Sequence, residues 1–137
     1  MLRLVAPLAL AVVGGTSLYL LALGSGALVR PETAKRFLGG FARTRRAHFL
    51  ELALRVVAGA ALVRSAPDMA FTAGIALFGW ILIITSLVLA VVPWRLHQRF
   101  AAWAVPQATQ RMSLIGVGSL VGGLVLVAAL LLPRAAG

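Results

Sequence analysis

The chain has 137 residues, 61% of them hydrophobic and 12% charged, with a mean hydropathy of +1.01 and no Cys. Soluble domains carry about 45–50% apolar and about 25% charged residues, so this chain has too little charge to cover a water-facing surface. The same figures exclude disorder, a disulfide scaffold and a zinc ribbon, and an integral membrane protein remains.

The charge is lopsided, with 13 Lys and Arg against 3 Asp and Glu, a formal +10. A basic balance can signal nucleic-acid binding. Here the cations lie between apolar runs instead of on a soluble domain, so the partner they predict is anionic lipid headgroup and not nucleic acid. Twelve of the 13 cations are Arg, a bias that, with the abundance of Ala, Gly and Val, points to a GC-rich bacterial genome.

A spanning helix needs roughly 20 apolar residues. In chain order the first predicted span runs from about Leu4 to Val29, with no charge between Arg3 and Arg30. It is longer than the apolar region of a secretory leader and is read as a retained helix. The second begins near His48, ends before Arg64 and is short. The third, from about Met69 to Val92, contains the uncharged run FTAGIALFGWILIITSLVLAVV. The fourth runs from about Met112 to Leu132, between Arg111 and Pro133-Arg134.

Counting cations near the spans orients the chain. Segment 30–48 holds Arg30, Lys35, Arg36, Arg43, Arg45 and Arg46, and segment 93–111 holds Arg95, Arg99 and Arg111. The other side holds Arg3, Arg64 and Arg134. Nine against three predicts a bacterial inner membrane protein with both longer loops cytoplasmic and both termini outside. The loops carry apolar stripes at helical spacing: Ala34, Phe37, Leu38 and Phe41 in the first, Leu96, Phe100, Trp103 and Ala104 in the second. Each predicts a short amphipathic helix in the headgroup region, with the nine loop cations toward phosphate. Trp94 and Trp103 suit an interfacial aromatic belt.

A shift of 63 residues carries Arg36-Phe37 onto Arg99-Phe100, Gly59 onto Gly122 and Ala27 onto Ala90. The predicted fold is therefore all-α and membrane-integral: four transmembrane helices as two parallel two-helix repeats, repeat 1 over about 4–64 and repeat 2 over about 69–133, in one domain. In the second half, Pro93, Trp94, Arg95, Arg99, Pro106, Arg111, Gly116 and Gly122 follow a pattern of span, Pro, Trp/Arg-rich segment, second Pro, Arg and Gly-containing span. That half resembles the YjeT-like family of very small bacterial inner-membrane proteins. In the first half Pro31, Lys35 and Arg36 fit, and nothing corresponds to Pro106. The resemblance implies a tandem architecture and assigns no catalytic residue.

Polar groups within spans are the default functional candidates. Glu51 and Arg55 lie four apart on one helix face and can form an ion pair or a relay. His48 and Glu51, with His97 from the other loop, could supply zinc ligands geometrically. The missing Cys and the missing fourth ligand leave the metal unassigned, and no cofactor is implied. The three acids, Glu32, Glu51 and Asp68, are too dispersed for paired-carboxylate or triad chemistry, so an enzyme is not expected. In the fourth span Gly118-x-x-x-Gly122 overlaps Ser119-x-x-x-Gly123, a small-residue strip suited to helix packing. Ala11/Gly15, Ala22/Gly26 and Ala70/Gly74 repeat that spacing. Thr72, Thr85 and Ser86 are expected to bond to their own helix backbone. The leading functional expectation is a non-catalytic accessory or scaffold subunit packing against other membrane subunits. The alternatives are a small homo-oligomeric transporter or channel using Glu51, and a lipid- or quinone-binding protein.

Overall fold

A computed structural model describes residues 2–41 and 43–132. Pro133 and Arg134, which close the fourth predicted span, lie outside the described residues, as does Ala42. The described chain forms six α-helices and a single 3-10 turn: α1 (Leu2–Val29), α2 (Pro31–Phe41), α3 (Arg45–Ser65), the turn Ala66–Asp68, α4 (Thr72–Val91), α5 (Trp94–Gln110) and α6 (Met112–Leu131).

Local chemistry sets the boundaries. A residue that precedes Pro is driven out of helical conformation, which ends α1 ahead of Arg30-Pro31 and α4 ahead of Val92-Pro93. Pro31 then occupies the first position of α2, where its missing N–H costs nothing. Thr44, in extended conformation, caps α3 by accepting a 3.1 Å bond from the Ala47 N–H. Phe71 enters α4 in the left-handed region at φ 60°, ψ 36°, an uncommon conformation for a bulky residue.

The helices form a bundle in which α1 lies along α6, α3 along α4, and α1 against α3. One core cluster joins Ala9 and Val13 of α1, Leu62 of α3, Ile75 of α4 and Leu126 and Ala129 of α6, with Ala66 and Met69 from the connecting turn. A second, smaller cluster joins Ala27, Ala34 and Met112 where α1, α2 and α6 meet. The first cluster holds the 66–70 connection against α6, where the Ala70 N–H donates to the Ala129 carbonyl at 3.2 Å. Helices α2 and α5 gather at the opposite end.

Three helices are long and apolar enough to cross a membrane: Leu4–Val29 of α1, α4 and α6. Most of their large side chains face outward, Leu18, Leu77 and Val117 being 67%, 63% and 52% exposed. Apolar surface of that extent is incompatible with water and suits hydrocarbon.

The expected four spans in two repeats are corrected on both counts. Any stretch of α3 long enough to cross contains Glu51, Arg55 and at least one of Arg45, Arg46 and Arg64. Such charges are costly in hydrocarbon, so α3 is not a spanning candidate, although α1 and α4 flank it in the bundle. The halves are not packed alike either. Helices α1 and α3 of the first half lie together, whereas α4 and α6 of the second are not closely packed. The tightest backbone contacts pair Gly24 with Gly116 and Gly59 with Gly79. A shift of 63 residues carries Gly24 onto Leu87 and Gly79 back onto Thr16, so these contacts do not repeat. The segments 4–64 and 69–133 share a layout of residues but not an arrangement of helices.

Candidate functional site

Helix α3 carries an ion pair tied to α4 and a histidine stacked on α5. Four residues apart on α3, Glu51 and Arg55 form an ion pair at 3.5 Å. The pair is not buried: the two side chains are 36% and 35% exposed. Arg55 Nη2 also donates to Thr85 Oγ1 on α4 at 3.5 Å, a long bond, while that hydroxyl donates to the Ile81 carbonyl at 2.6 Å. The sequence identified the pair but not its tie to α4. Thr72 likewise bonds to the Met69 carbonyl within its own segment, at 3.1 Å. The Ser86 hydroxyl, also expected to bond its own backbone, is buried without a partner.

One turn toward the α2/α5 end, His48 of α3 meets His97 of α5 with ring centroids 3.8 Å apart. Trp94 lies 5.4 Å from His48 and 5.6 Å from His97. His48 is 3% exposed, and His97 Nδ1 is buried without a hydrogen-bond partner. The sequence suggested His48 and His97 only as possible co-ligands of a metal, not as stacked rings. Their stacking requires the return of the chain through α4, so no spacing rule could have found it. Among the described residues no group of three or more His, Cys, Asp or Glu could hold a metal ion.

Burial pushes His48 below its ordinary value of 6.5, and the neighbouring His97 adds to that effect. Glu51 on the same helix and a hydrogen bond with the Leu89 backbone of α4 oppose it. A base whose affinity for protons falls on folding binds more protons in the unfolded chain, so stability rises with pH across that window. Thermal unfolding in detergent is expected at a lower temperature at pH 5 than at pH 8, the loss beginning as pH falls below about 6.5. His48→Gln should shrink the difference; an equal pH dependence in that variant would refute the assignment.

The loop cations lie on or beside helical segments. Arg30, Lys35 and Arg36 belong to the α1–α2 elbow, Arg43, Arg45 and Arg46 to the start of α3, and Arg95, Arg99 and Arg111 to α5 and its end. All but Lys35, which is half-buried, are exposed. Lys35 Nζ bonds Glu32 Oε1 at 2.7 Å and holds that carboxyl below its usual range. Leu96, Phe100 and Trp103 of α5 are 55%, 57% and 63% exposed, an apolar stripe without cover from the bundle.

The small-residue strip of α6 divides by face. Gly123 packs on Leu21 of α1 and Gly122 makes an ordinary contact with Leu20, whereas a Cβ on Gly118 would meet no atom within 4 Å. Ser119 is half-buried. The closest approaches involve four other glycines: Gly24 against Gly116, and Gly59 against Gly79. Gly116 and Gly123 are seven residues apart, so they share one face of α6, a signal that the four-residue spacing rule passed over.

Comparison with family models, with curated proteins and with solved structures gave no match.

Proposed function

We propose that the protein is a non-catalytic membrane subunit that packs against a larger membrane complex. The observation that carries this reading is the set of glycines that face out of the bundle. Gly15 of α1, Gly74 of α4 and Gly118 of α6 have nothing within 4 Å of where a Cβ would stand. Between helices in lipid, association depends on dispersion and close backbone approach, so outward small residues suit contact with further helices. The uncovered stripe of α5 supports the same reading.

The membrane in question is a bacterial cytoplasmic one, as the Arg-rich composition and the resemblance of the second half to the YjeT-like family suggest. The end of the bundle that carries α2 and α5 faces the cytoplasm, with its cations on anionic headgroups. A second reading, a small homo-oligomeric transporter using Glu51, draws on the partial exposure of the Glu51–Arg55 pair. Its weakness is that the acid is already neutralised by Arg55.

Gentle extraction from native membranes, followed by mass spectrometry of co-migrating proteins, tests the proposal. A stoichiometric complex with a larger membrane protein is expected. A lone homo-oligomer would overturn it in favour of the transporter, and a clean monomer would overturn both.

A further inference from the structure

Helix α1 and the amphipathic helix α2 flank an open groove of about 330 Å³ at their elbow, comparable in volume to small-molecule sites of about 300–1,000 Å³. Its α1 wall is built from Tyr19, Ala22, Leu23 and Gly26, which recur at three- and four-residue spacing on one helix face. Ala22 and Gly26 leave the space that bulkier residues would fill: nothing lies within 4 Å of where a Gly26 Cβ would stand. The opposite wall is Ala34 and Phe37 of α2, and the Tyr19 and Phe37 rings bound the groove with centroids 6.5 Å apart.

The polar groups lining this otherwise apolar groove are unevenly placed. Arg30 and Thr33 stand at its end at the elbow, where the apolar run of α1 stops. The acid nearest to Arg30 in sequence, Glu32, is bound by Lys35 at 2.7 Å. Arg30 takes part in none of the ion pairs among the described residues. From Arg30 back to Tyr19 the groove follows 11 residues of α1, about 16 Å at 1.5 Å per residue. Half the roughly 30 Å hydrocarbon core of a bilayer is about the same length.

A slot one leaflet deep, apolar along its length and cationic at the headgroup level, matches one class of molecule. We infer that the α1–α2 groove is a binding site for a single anionic phospholipid, with one acyl chain along Ala22 and Gly26 and its phosphate on Arg30 and Thr33. This deepens the basic-loop reading from a diffuse charge attraction to a defined site. It rests on the membrane placement of α1 and not on the accessory role.

The test is lipid retention, read by native mass spectrometry after transfer of the protein through phosphatidylcholine bilayers doped with phosphatidylglycerol. The wild type is expected to keep one phosphatidylglycerol per chain. Arg30→Gln should lower its retention about tenfold, the worth of one charge-assisted contact. Gly26→Phe should abolish retention by filling the groove. Gly14→Leu, on the same helix with equally open space at its Cβ but outside the groove, should leave it unchanged. Retention indifferent to headgroup, a quinone or fatty acid kept in its place, or undiminished binding in Gly26→Phe would overturn the site. A wild-type chain found in membranes but without retained lipid would overturn the site alone. Recovery of the chain outside the membrane fraction would overturn the membrane reading with it.

Discussion

Replacing Gly59 or Gly24 by Ala is expected to destabilise the purified protein by about 1–3 kcal/mol, the usual cost of overpacking a fitted contact. A Cβ on Gly59 would stand 2.7 Å from the Gly79 carbonyl oxygen and 2.9 Å from an Ile83 side-chain carbon. On Gly24 it would stand 2.8 Å from both the Gly116 carbonyl oxygen and the Leu120 amide nitrogen. Backbone atoms of a facing helix cannot swing aside as a side chain can, so each methyl group forces α3 from α4, or α1 from α6. The same substitution at Gly118 or Gly15 meets nothing within 4 Å. There the higher helix propensity of Ala should leave stability unchanged or raise it by up to about 1 kcal/mol. Thermal unfolding of the four variants in one detergent checks the contrast. Equal effects at all four positions would mean that the helices do not cross where these glycines meet.

The second large effect concerns Glu51 and Arg55. Arg55→Leu leaves Glu51 without its counter-charge on a helix flanked by α1 and α4. Breaking a fully buried pair costs about 3–5 kcal/mol, and an exposed pair is worth about 0–1 kcal/mol. With each side chain about one-third exposed, at 36% and 35%, a loss of about 1–3 kcal/mol is expected. Glu51→Leu with Arg55→Leu together should return to within about 1 kcal/mol of wild type, since neither charge is then left alone. A double-mutant cycle measures the coupling directly. Additive single losses would show that the two groups act independently, and Arg55 would then be held chiefly through Thr85.

Much of the helical layout is legible in residue types. The uncharged runs that became α1, α4 and α6 are long enough for period and composition to agree. Pro31 and Pro93 mark where the chain breaks, and the apolar stripes around Phe37 and Phe100 lie on helices α2 and α5. The stretch from His48 to Val63 has nearly the length of a short span, but length alone does not decide the status of α3. Glu51 and Arg55 within it, and Arg45, Arg46 and Arg64 at its ends, set its character. The apparent repeat arose from residues that align along the chain, such as Gly59 and Gly122, but occupy unlike contacts. Gly59 abuts the Gly79 backbone, whereas Gly122 only touches the Leu20 side chain.

The site was legible in part for a related physical reason. The Glu51–Arg55 pair is a local i, i+4 relation that any helix enforces. The His48–His97 stack and the Arg55–Thr85 bond join residues on different helices, and partners across a bundle leave no periodic trace in either segment. The groove at the elbow is a negative feature, defined by what Ala22 and Gly26 lack. The sequence displayed that spacing as helix packing because small residues clear space in the same way for a helix or for a ligand.

The absence of Cys from the sequence makes the central claim, that the outward faces of α1, α4 and α6 lie in hydrocarbon, directly measurable. Single cysteines at Leu18, Leu77 and Val117, each more than half exposed on the bundle, can be challenged with a water-soluble maleimide in intact vesicles and again after detergent treatment. A cysteine at Gln98 of α5, also exposed, serves as the water-facing reference in inside-out vesicles. The account predicts labelling at Gln98 but not at the three helix-face positions while the bilayer is intact. Ready labelling at Leu18, Leu77 and Val117 in intact vesicles would contradict it.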